Sequence, residues 1–304
     1  MALQAKAIQQ KMKSVGNIRK ITKTMEMISV SKMRRAVEKA QASKSYTMAV
    51  FSLISYISRQ EGVKESSPLF LLRATGKTLA IVISSNKGLC GAYNLNIHKK
   101  LSVIKKEYGG GIDCITVGRH AEKSAARLSL PIIASFVSIS EKDVASDIRI
   151  ASTIAIEKFN SADYREIVII YTEFTKALQF TASVKKLLPF DEGIVGNMLF
   201  ETDLAKKQEL NQSKTGLAAY VFEPGKAYIL ETMLPKLIQS IIYQAFLESL
   251  ASEHSSRMLA MKTASDSASE IFKDLKLSFN HARQDAITRE LSEIVSGAAT
   301  LQAD

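Results

Sequence analysis

Residues 236–296 read KLIQSIIYQAFLESLASEHSSRMLAMKTASDSASEIFKDLKLSFNHARQDAITRELSEIVS, a run of 61 residues that contains neither glycine nor proline. At about 1.5 Å per residue, one helix of this length would reach roughly 90 Å. Helical patterns that exceed about 25 residues without stop signals are typical of coiled coils, membrane spans and repeat arrays. This segment therefore predicts one very long helix.

A second run without glycine or proline covers residues 17–61. The longest stretch without a charge, residues 45–58, has 14 residues, whereas about 18 to 20 apolar residues are needed to span a bilayer. The sequence therefore predicts no transmembrane helix and favours a coiled coil. We expect three parts: an N-terminal coiled-coil helix over 1–61, a central domain over 62–235 and a C-terminal coiled-coil helix over 236–304.

Both runs carry small and apolar side chains three or four residues apart, which is the spacing of a coiled-coil seam. The expected C-terminal seam is Met261, Ala264, Ala268, Ile271, Leu275, Ser278 and Ala282. The expected N-terminal seam is Ile8, Met12, Val15, Ile18, Thr22, Met25 and Ile28. Because the central residues can fold between the two runs, we expect a left-handed antiparallel coiled coil. The alternative is that each run is an ordinary core helix.

The positive charge is concentrated near the amino end. Residues 1–44 contain 11 lysines and arginines and two acidic residues, so they hold +9 of the chain's net +11, whereas residues 236–304 carry −2. An electropositive helix can face nucleic acid, anionic lipid or an acidic protein surface. Since the first aromatic residue is Tyr46, the stacking platform of a single-strand binder is missing. An acidic protein is the better prediction, and a merely solvated face is the alternative.

The central segment alternates β-branched apolar runs with helical patterns, which is typical of a mostly parallel, doubly wound sheet. The predicted strands are residues 78–84, 113–118, 132–137 and 166–172, with an edge strand at 180–187. The predicted helices are residues 96–108, 119–128 and 143–159. Residues 191–218 are polar, which predicts a loop or mobile linker. The expected fold class is a Rossmann-like α/β domain combined with a coiled coil.

Two sequence patterns resemble parts of nucleotide sites. Residues 76–78 read GKT, the closing letters of a phosphate loop, but Leu71 stands where that loop needs its first glycine. Residues 85–94 read SNKGLCGAYN and follow the first strand, where α/β sheets often bind ligands. This segment is not a GxGxxG motif. A tight turn that presents Lys87 to a partner is the better interpretation.

Catalytic and metal-binding chemistry have little support elsewhere. Cys90 has no neighbouring histidine, so it is expected to be a small, buried or half-buried side chain, and Cys114 lies in a predicted strand and is expected in the core. The four histidines are scattered without metal-ligand spacing. No pair of carboxylates is placed for acid and base catalysis. We therefore expect no catalytic site, no cofactor and no metal on this chain.

Three segments resemble one known family. They are residues 17–36 (NIRKITKTMEMISVSKMRRA), residues 88–91 (GLCG) and residues 251–301, which begin ASEHSSRMLAMK. In this order they resemble the signatures of the γ subunits of F-type ATP synthases, and the arrangement of terminal helices around a central α/β domain matches that family along the whole chain. Asn86 departs from the family pattern because an acid is usual at its position, and Ser265 and Ser267 replace the usual Thr and Asn.

The resemblance implies a rotor. In the family, the two terminal helices form an asymmetric shaft inside a hexagonal ring of α and β subunits, and the globular part sits on the membrane-embedded c-ring with subunit ε. ATP chemistry occurs in β, so the resemblance implies a non-catalytic chain that binds no nucleic acid and reaches the membrane only through the c-ring. Since the first 25 residues show no targeting pattern, we expect the bacterial form, at the cytoplasmic face of the plasma membrane.

The resemblance also assigns contact residues by position. The expected contacts with β are Lys20, Lys23, Met25, Arg34, Lys87, Arg283, Gln284, Thr288 and Glu293. The expected contacts with ε or the c-ring are Tyr220, Phe222 and Glu223. Two rival hypotheses stay open at this point: a Rossmann-like nucleotide-binding protein that uses residues 85–94, and a basic coiled-coil nucleic-acid binder.

Overall fold

The computed structural model describes residues 2–60, 62–64, 67–109, 111–137, 144–176, 179–193, 196 and 222–301. The chain divides into two compact units, one of Met1–Val30 with Arg257–Asp304 and one of Ser31–Ser256. Most of segment 191–218, which the sequence predicts to be a loop or mobile linker, lies outside the described residues. The three-part division of the chain stays a prediction.

The predicted helices and strands are confirmed, with ends that differ by a few residues except at the start of the last helix. In chain order they are α1 (Ala2–Ser58), β1 (Lys77–Ile83), α2 (Tyr93–Glu107), β2 (Ile112–Val117), α3 (Arg119–Arg127), β3 (Ile132–Phe136), α4 (Val144–Asn160), β4 (Tyr164–Lys176), β5 (Gln179–Leu188) and α5 (Lys226–Leu301). A short 3-10 helix, Pro68–Phe70, precedes β1. The two longest helices contain 57 and 76 residues.

Helix α5 begins before Pro235 and contains it, although the sequence predicts a helix that starts after this proline. A proline inside a helix removes one backbone hydrogen bond and usually bends the helix. Here the carbonyl that loses its partner belongs to Glu231, a residue that is exposed. Leu234 and Leu237 beside the proline are fully buried, and their burial, worth about 1.5–3 kcal/mol each, offsets the cost.

The unit Ser31–Ser256 contains one five-stranded sheet of order β3-β2-β1-β4-β5. Strand β1 pairs in parallel with β2 and β4, so that Ile81 lies between Ile115 and Ile169. Strand β3 extends the parallel part, and β5 is an antiparallel edge on β4. All residues of β2 are buried, because helices cover both faces of the sheet. The predicted α/β fold is confirmed.

Successive side chains of β1 enter two different cores, one on each face of the sheet. The first core includes Ala80, Val82, Ile97, Leu101, Ile104, Ala121 and Ala125, from β1, α2 and α3. The second includes Ile54, Leu79, Ile81, Ile83, Ile148, Leu237 and Ile241, from α1, β1, α4 and α5. Parts of both long helices therefore belong to the core of the α/β unit.

Within this unit, α1 and α5 run antiparallel and are joined by side-chain hydrogen bonds. The Ser43 hydroxyl donates to the Gln244 side-chain oxygen at 2.7 Å. One turn later in α1, the Thr47 and Ser240 hydroxyls lie 2.5 Å apart. The partner number falls as the α1 number rises, which defines the antiparallel direction.

In the unit of Met1–Val30 and Arg257–Asp304, the outer parts of α1 and α5 pair. Gly16 faces the ring of Phe272, which a side chain at Gly16 would meet at 3.6 Å. The Arg19 guanidinium lies 5.4 Å from the centre of the same ring. Thr22 of α1 and Ala268 of α5 are buried. These contacts confirm the predicted coiled coil.

The predicted seam is wrong at several positions. Ile18, Ile28, Ile271 and Ser278 are exposed. On α5, Phe272 and Phe279 are half-buried in place of Ile271 and Ser278, one residue further along the chain. An aromatic ring removes more apolar area from water than isoleucine or serine. A small rotation of the helix that turns the two phenylalanines inward is therefore favoured.

We expect Ile81→Ala to lower the free energy of unfolding by about 2–5 kcal/mol, because the change empties a fully buried position between two strands. Leu72→Ala is the control, since Leu72 is 84% exposed and its loss is expected to cost less than about 0.5 kcal/mol. Urea unfolding followed by circular dichroism measures both. Equal destabilisation by the two variants would contradict this core.

Glu248 is a largely buried carboxyl on α5 within the α/β unit. Burial raises the pKa of Glu248 to about 7, with a further contribution from the charge of Glu173, while the Gln244 hydrogen bond, Lys44 and Lys185 act in the opposite direction. The Gln244 amide donates to its Oε1 at 3.2 Å. A pKa above the unfolded value means that the fold favours the protonated form. The contribution of Glu248 to the free energy of unfolding is complete at acidic pH and is lost as the pH rises through about 7.

We therefore expect the free energy of unfolding to increase as the pH falls from about 8 to 6. In Glu248→Gln, which keeps the shape but does not titrate, this dependence should be much weaker. Chemical unfolding at several pH values measures the slope for both chains. The same slope in wild type and variant would show that Glu248 titrates alike in the folded and unfolded states.

Candidate functional site

The glycine turn, residues 85–94, follows β1 and is closed by its own polar side chains. The Ser85 hydroxyl donates to the Lys87 carbonyl at 2.8 Å. The Asn94 amide donates to the Ser85 hydroxyl at 2.7 Å and to the Cys90 sulfur at 3.2 Å. Leu89 has a φ of 60° and its side chain is 64% exposed. The turn thus holds Lys87 and Leu89 at its exposed end.

The neighbouring start of α3 is tied to the same turn. The Asn86 side-chain oxygen accepts the Arg119 backbone N–H at 3.0 Å, so the amide at this position caps the helix as a carboxylate would. Gly118, the residue before the helix, has a φ of 98°, and a side chain there would lie 2.3 Å from the Ser84 carbonyl oxygen. Only glycine allows this close approach.

Helix α5 lies against the crevice at which an α/β sheet would bind a ligand. The strand order changes direction between β1 and β4, and ligands of such sheets bind beyond the carboxyl ends of the strands at this place. Here the Thr172 backbone N–H donates to the Ser249 hydroxyl, and the Ser252 hydroxyl donates to the Thr172 carbonyl, both at 3.3 Å. The Ser256 hydroxyl donates to the Cys90 carbonyl at 2.6 Å. The chain itself therefore fills the crevice, which argues against the nucleotide-binding hypothesis.

Sequence reasoning missed these three serines. They are almost completely buried on a helix that the sequence assigned to a coiled coil. The available signal was the density of serine between residues 249 and 256, where a purely apolar seam would contain leucine or isoleucine. Buried hydroxyl groups require hydrogen-bond partners, so that such a cluster indicates a polar contact with another element.

The residues of the GKT pattern face carboxylates. Lys77 begins β1, and its Nζ lies 3.2 Å from the Asp113 carboxylate. The Thr78 hydroxyl donates to Glu166 at 3.1 Å. A lysine and a threonine that are paired in this way are not arranged to cradle a phosphate.

Both cysteines are buried, which the sequence predicts for Cys114 and allows for Cys90. Burial, with a further contribution from the charge of Asp113, raises the pKa of the Cys114 thiol to about 12. Neither thiol has the exposed, electropositive surroundings of a catalytic cysteine. The part of the chain that the structure describes contains no cluster of His, Cys, Asp and Glu able to hold a metal ion.

The residues that the resemblance assigned to contacts with β lie mostly on exposed helix surface. Lys20, Lys23, Arg34, Lys87, Arg283, Gln284 and Thr288 are exposed, and Met25 is half-buried. Lys23 pairs with Glu26 and Arg34 with Glu38, each at 3.1 Å. Glu293 lies in α5, and its side chain is outside the described part.

The residues assigned to ε or the c-ring are described only in part. Tyr220 lies outside the described residues. Phe222 is half-buried, with its ring 6.1 Å from that of Tyr56, and Glu223 is exposed. The structure thus fixes Phe222 against α1 and leaves Glu223 at the surface.

The outer parts of α1 and α5 expose many apolar side chains. They are Ile18, Ile21, Met27, Ile28 and Val30 on α1, and Leu259, Ile271, Leu277, Ile287, Leu291, Ile294 and Val295 on α5. Apolar side chains in this number on two paired helices indicate a surface that contacts another protein. None of the described helices contains an apolar stretch of the kind that spans a bilayer.

Comparison with known proteins agrees with this architecture. The ATP synthase family model matches residues 4–301. The ATP synthase gamma chain of Glaesserella parasuis is 35% identical over 300 residues, which cover 98% of this chain and 99% of that protein. The corresponding protein of Chloroflexus aurantiacus is 34% identical over 302 residues, with 98% of each chain covered.

Two solved structures share the fold. The central stalk of the mitochondrial ATP synthase of Tetrahymena thermophila gives a TM-score of 0.59 at 26% identity and covers 81% of this chain and 99% of that chain. A chain of the Euglena gracilis mitochondrial ATP synthase in rotational state 3 gives 0.65 at 17% identity and covers 100% of this chain and 96% of that chain. Matched by the family model over almost its whole length and by relatives of more than 30% identity, the chain belongs to the ATP synthase γ-chain family.

Proposed function

We propose that this chain is the central-stalk rotor subunit of an F-type ATP synthase. It transmits rotation between the membrane c-ring and the catalytic hexamer of α and β subunits, so that ion flow drives ATP synthesis, or the reverse. The observation that carries the proposal is the paired outer part of α1 and α5, whose surface combines exposed apolar side chains with the six lysines and arginines of residues 1–30. The chain itself has no catalytic role and needs no cofactor.

The proposed partners follow from this role. The hexamer of α and β subunits surrounds the paired helices, and the α/β unit contacts subunit ε and the c-ring. Contact with the membrane is indirect, through the c-ring, at the cytoplasmic face of the bacterial plasma membrane. Nucleic acid is not a partner.

Weak exposed contacts suit a surface that must move past its partner. Exposed ion pairs are worth about 0–1 kcal/mol each, so no single pair between a lysine of α1 and an acidic loop would stop rotation. Long-range attraction between opposite charges still keeps the two surfaces together without one fixed register.

The rotor role also needs energy from several ions to be combined. One proton that crosses a potential of 100 mV releases about 2.3 kcal/mol, which is too little to release one tightly bound nucleotide. An asymmetric shaft presents a different face to each catalytic site, so that the affinities of the sites differ at any moment.

The residues proposed to carry this coupling are those that the family resemblance assigned. The proposed contacts with β are Lys20, Lys23, Met25, Arg34, Lys87, Arg283, Gln284, Thr288 and Glu293, and those with ε or the c-ring are Tyr220, Phe222 and Glu223. What supports this proposal is that Arg283 and Gln284 are exposed on α5 among apolar side chains that also face outward.

Co-purification tests the function itself. We expect a tagged copy of this chain, expressed in its source, to recover α, β and ε subunits together with the c-ring. Its removal should abolish ATP synthesis by membrane vesicles, and the wild-type chain should restore it. Recovery of the tagged chain alone would contradict the proposed role.

Replacement of Arg283 and Gln284 by alanine tests the coupling surface. Since each exposed polar contact contributes up to about 1 kcal/mol and 1.36 kcal/mol of barrier is a factor of ten, we expect ATP turnover of the assembled enzyme to fall about two- to tenfold. The control is Lys262→Ala with Thr263→Ala, an exposed pair on the same helix that removes the same charge. Equal turnover in both double variants would remove Arg283 and Gln284 from the proposed contacts.

A further inference from the structure

Asn94 is the centre of the hydrogen bonds that close the glycine turn. Its side-chain oxygen accepts the Ser85 backbone N–H at 3.2 Å and lies 2.9 Å from the Ser85 hydroxyl oxygen. Its amide nitrogen lies 2.7 Å from the same hydroxyl and 3.2 Å from the Cys90 sulfur. One side chain near the start of α2 therefore holds both ends of the bend that carries Lys87.

Ser256 joins the closed turn to α5. Its hydroxyl donates to the Cys90 carbonyl at 2.6 Å, and the same carbonyl accepts the Tyr93 backbone N–H at 3.3 Å. The Tyr93 hydroxyl lies 2.7 Å from the hydroxyl of Ser249, a second serine of α5. All four residues are buried, so that the bonds are shielded from water.

The serines of this α5 face differ from other hydroxyl side chains of the same helix. Thr263, Ser269 and Ser292 each donate to the carbonyl four residues earlier in α5, which is the usual local bond of a helical hydroxyl. Ser249, Ser252 and Ser256 bond to β4, to α2 or to the glycine turn. Their hydroxyls therefore fix α5 to the carboxyl edge of the sheet.

We infer that Asn94 and Ser256 are positioning residues for coupling: Asn94 holds the glycine turn closed around Lys87, and Ser256 fixes the closed turn to α5. A force applied to the exposed end of the turn then reaches α5 through the directional hydrogen bonds of Asn94 and Ser256 and is not absorbed by movement of the turn. Apolar packing alone has no preferred direction and allows sliding. The inference rests on the proposed rotor function.

Two variants remove these bonds with little change of shape. Asn94→Asp keeps the acceptor oxygen and removes the amide that donates to Ser85 and Cys90; a carboxylate in the first turn of α2 is compatible with the helix. Ser256→Ala removes the hydroxyl, and alanine favours the helix. Ser267→Ala is the matched control, because Ser267 is exposed on α5.

The experiment uses the complete ATP synthase with each variant in place of the wild-type chain. Amide hydrogen exchange of residues 85–94 measures whether the turn is held, and protons pumped per ATP hydrolysed in reconstituted vesicles measure coupling. We expect exchange to become about three- to tenfold faster in Asn94→Asp and in Ser256→Ala, as for loss of one hydrogen bond. Protons pumped per ATP should fall by about half, while Ser267→Ala changes neither quantity.

Each other outcome decides against the inference. Unchanged exchange would show that the bonds of Asn94 and Ser256 do not hold the turn. Faster exchange, or a lower melting temperature, with an unchanged proton-to-ATP ratio would assign both residues a purely structural role. In either case the wild-type complex still pumps protons, so the proposed rotor function stands; failure of the wild-type chain to support pumping would instead contradict that function.

Discussion

The pairing of α1 with α5 is the constraint on which the rest of the structure depends. In the unit of Met1–Val30 and Arg257–Asp304, two buried positions of α1 carry small hydroxyl side chains: Thr22 donates to the Ile18 carbonyl at 3.0 Å, and Ser29 to the Met25 carbonyl at 2.7 Å. Because each bonds to its own helix, two helices can approach closely without leaving a buried hydroxyl unpaired. In the α/β unit, by contrast, Ser43 and Thr47 bond across to α5, which fixes the register there.

Much of the fold could be predicted because its signals are local. The strands around Ile81 are continuous apolar runs, as strands covered on both faces must be, and the absence of glycine and proline marks the long helices. The heptad spacing of apolar residues could not place the α5 seam by itself, because Ile271 and Phe272 both fit it. Only the larger apolar area that phenylalanine buries favours Phe272. The sequence did not predict the start of α5 before Pro235, because the burial of Leu234 and Leu237 offsets the cost of a proline inside a helix.

The candidate site was predictable in part. The glycine pattern of residues 85–94 indicates a tight turn, and the structure shows Lys87 at its exposed end. Its anchoring was not visible in the sequence, because Ser256 and Cys90 lie 166 residues apart and neither residue type specifies a partner. The outward position of Ile18 and Ile271 likewise depends on packing between helices and not on the residues themselves.

The crevice at the carboxyl edge of the sheet is filled by a segment of the same polypeptide. A nucleotide or metabolite at such a place leaves when its concentration falls, and the domain then changes state. A tethered helix has no such equilibrium with the solution, because its local concentration never varies. The contacts at this edge of the sheet therefore change only when α5 itself moves, whatever small molecules the solution contains.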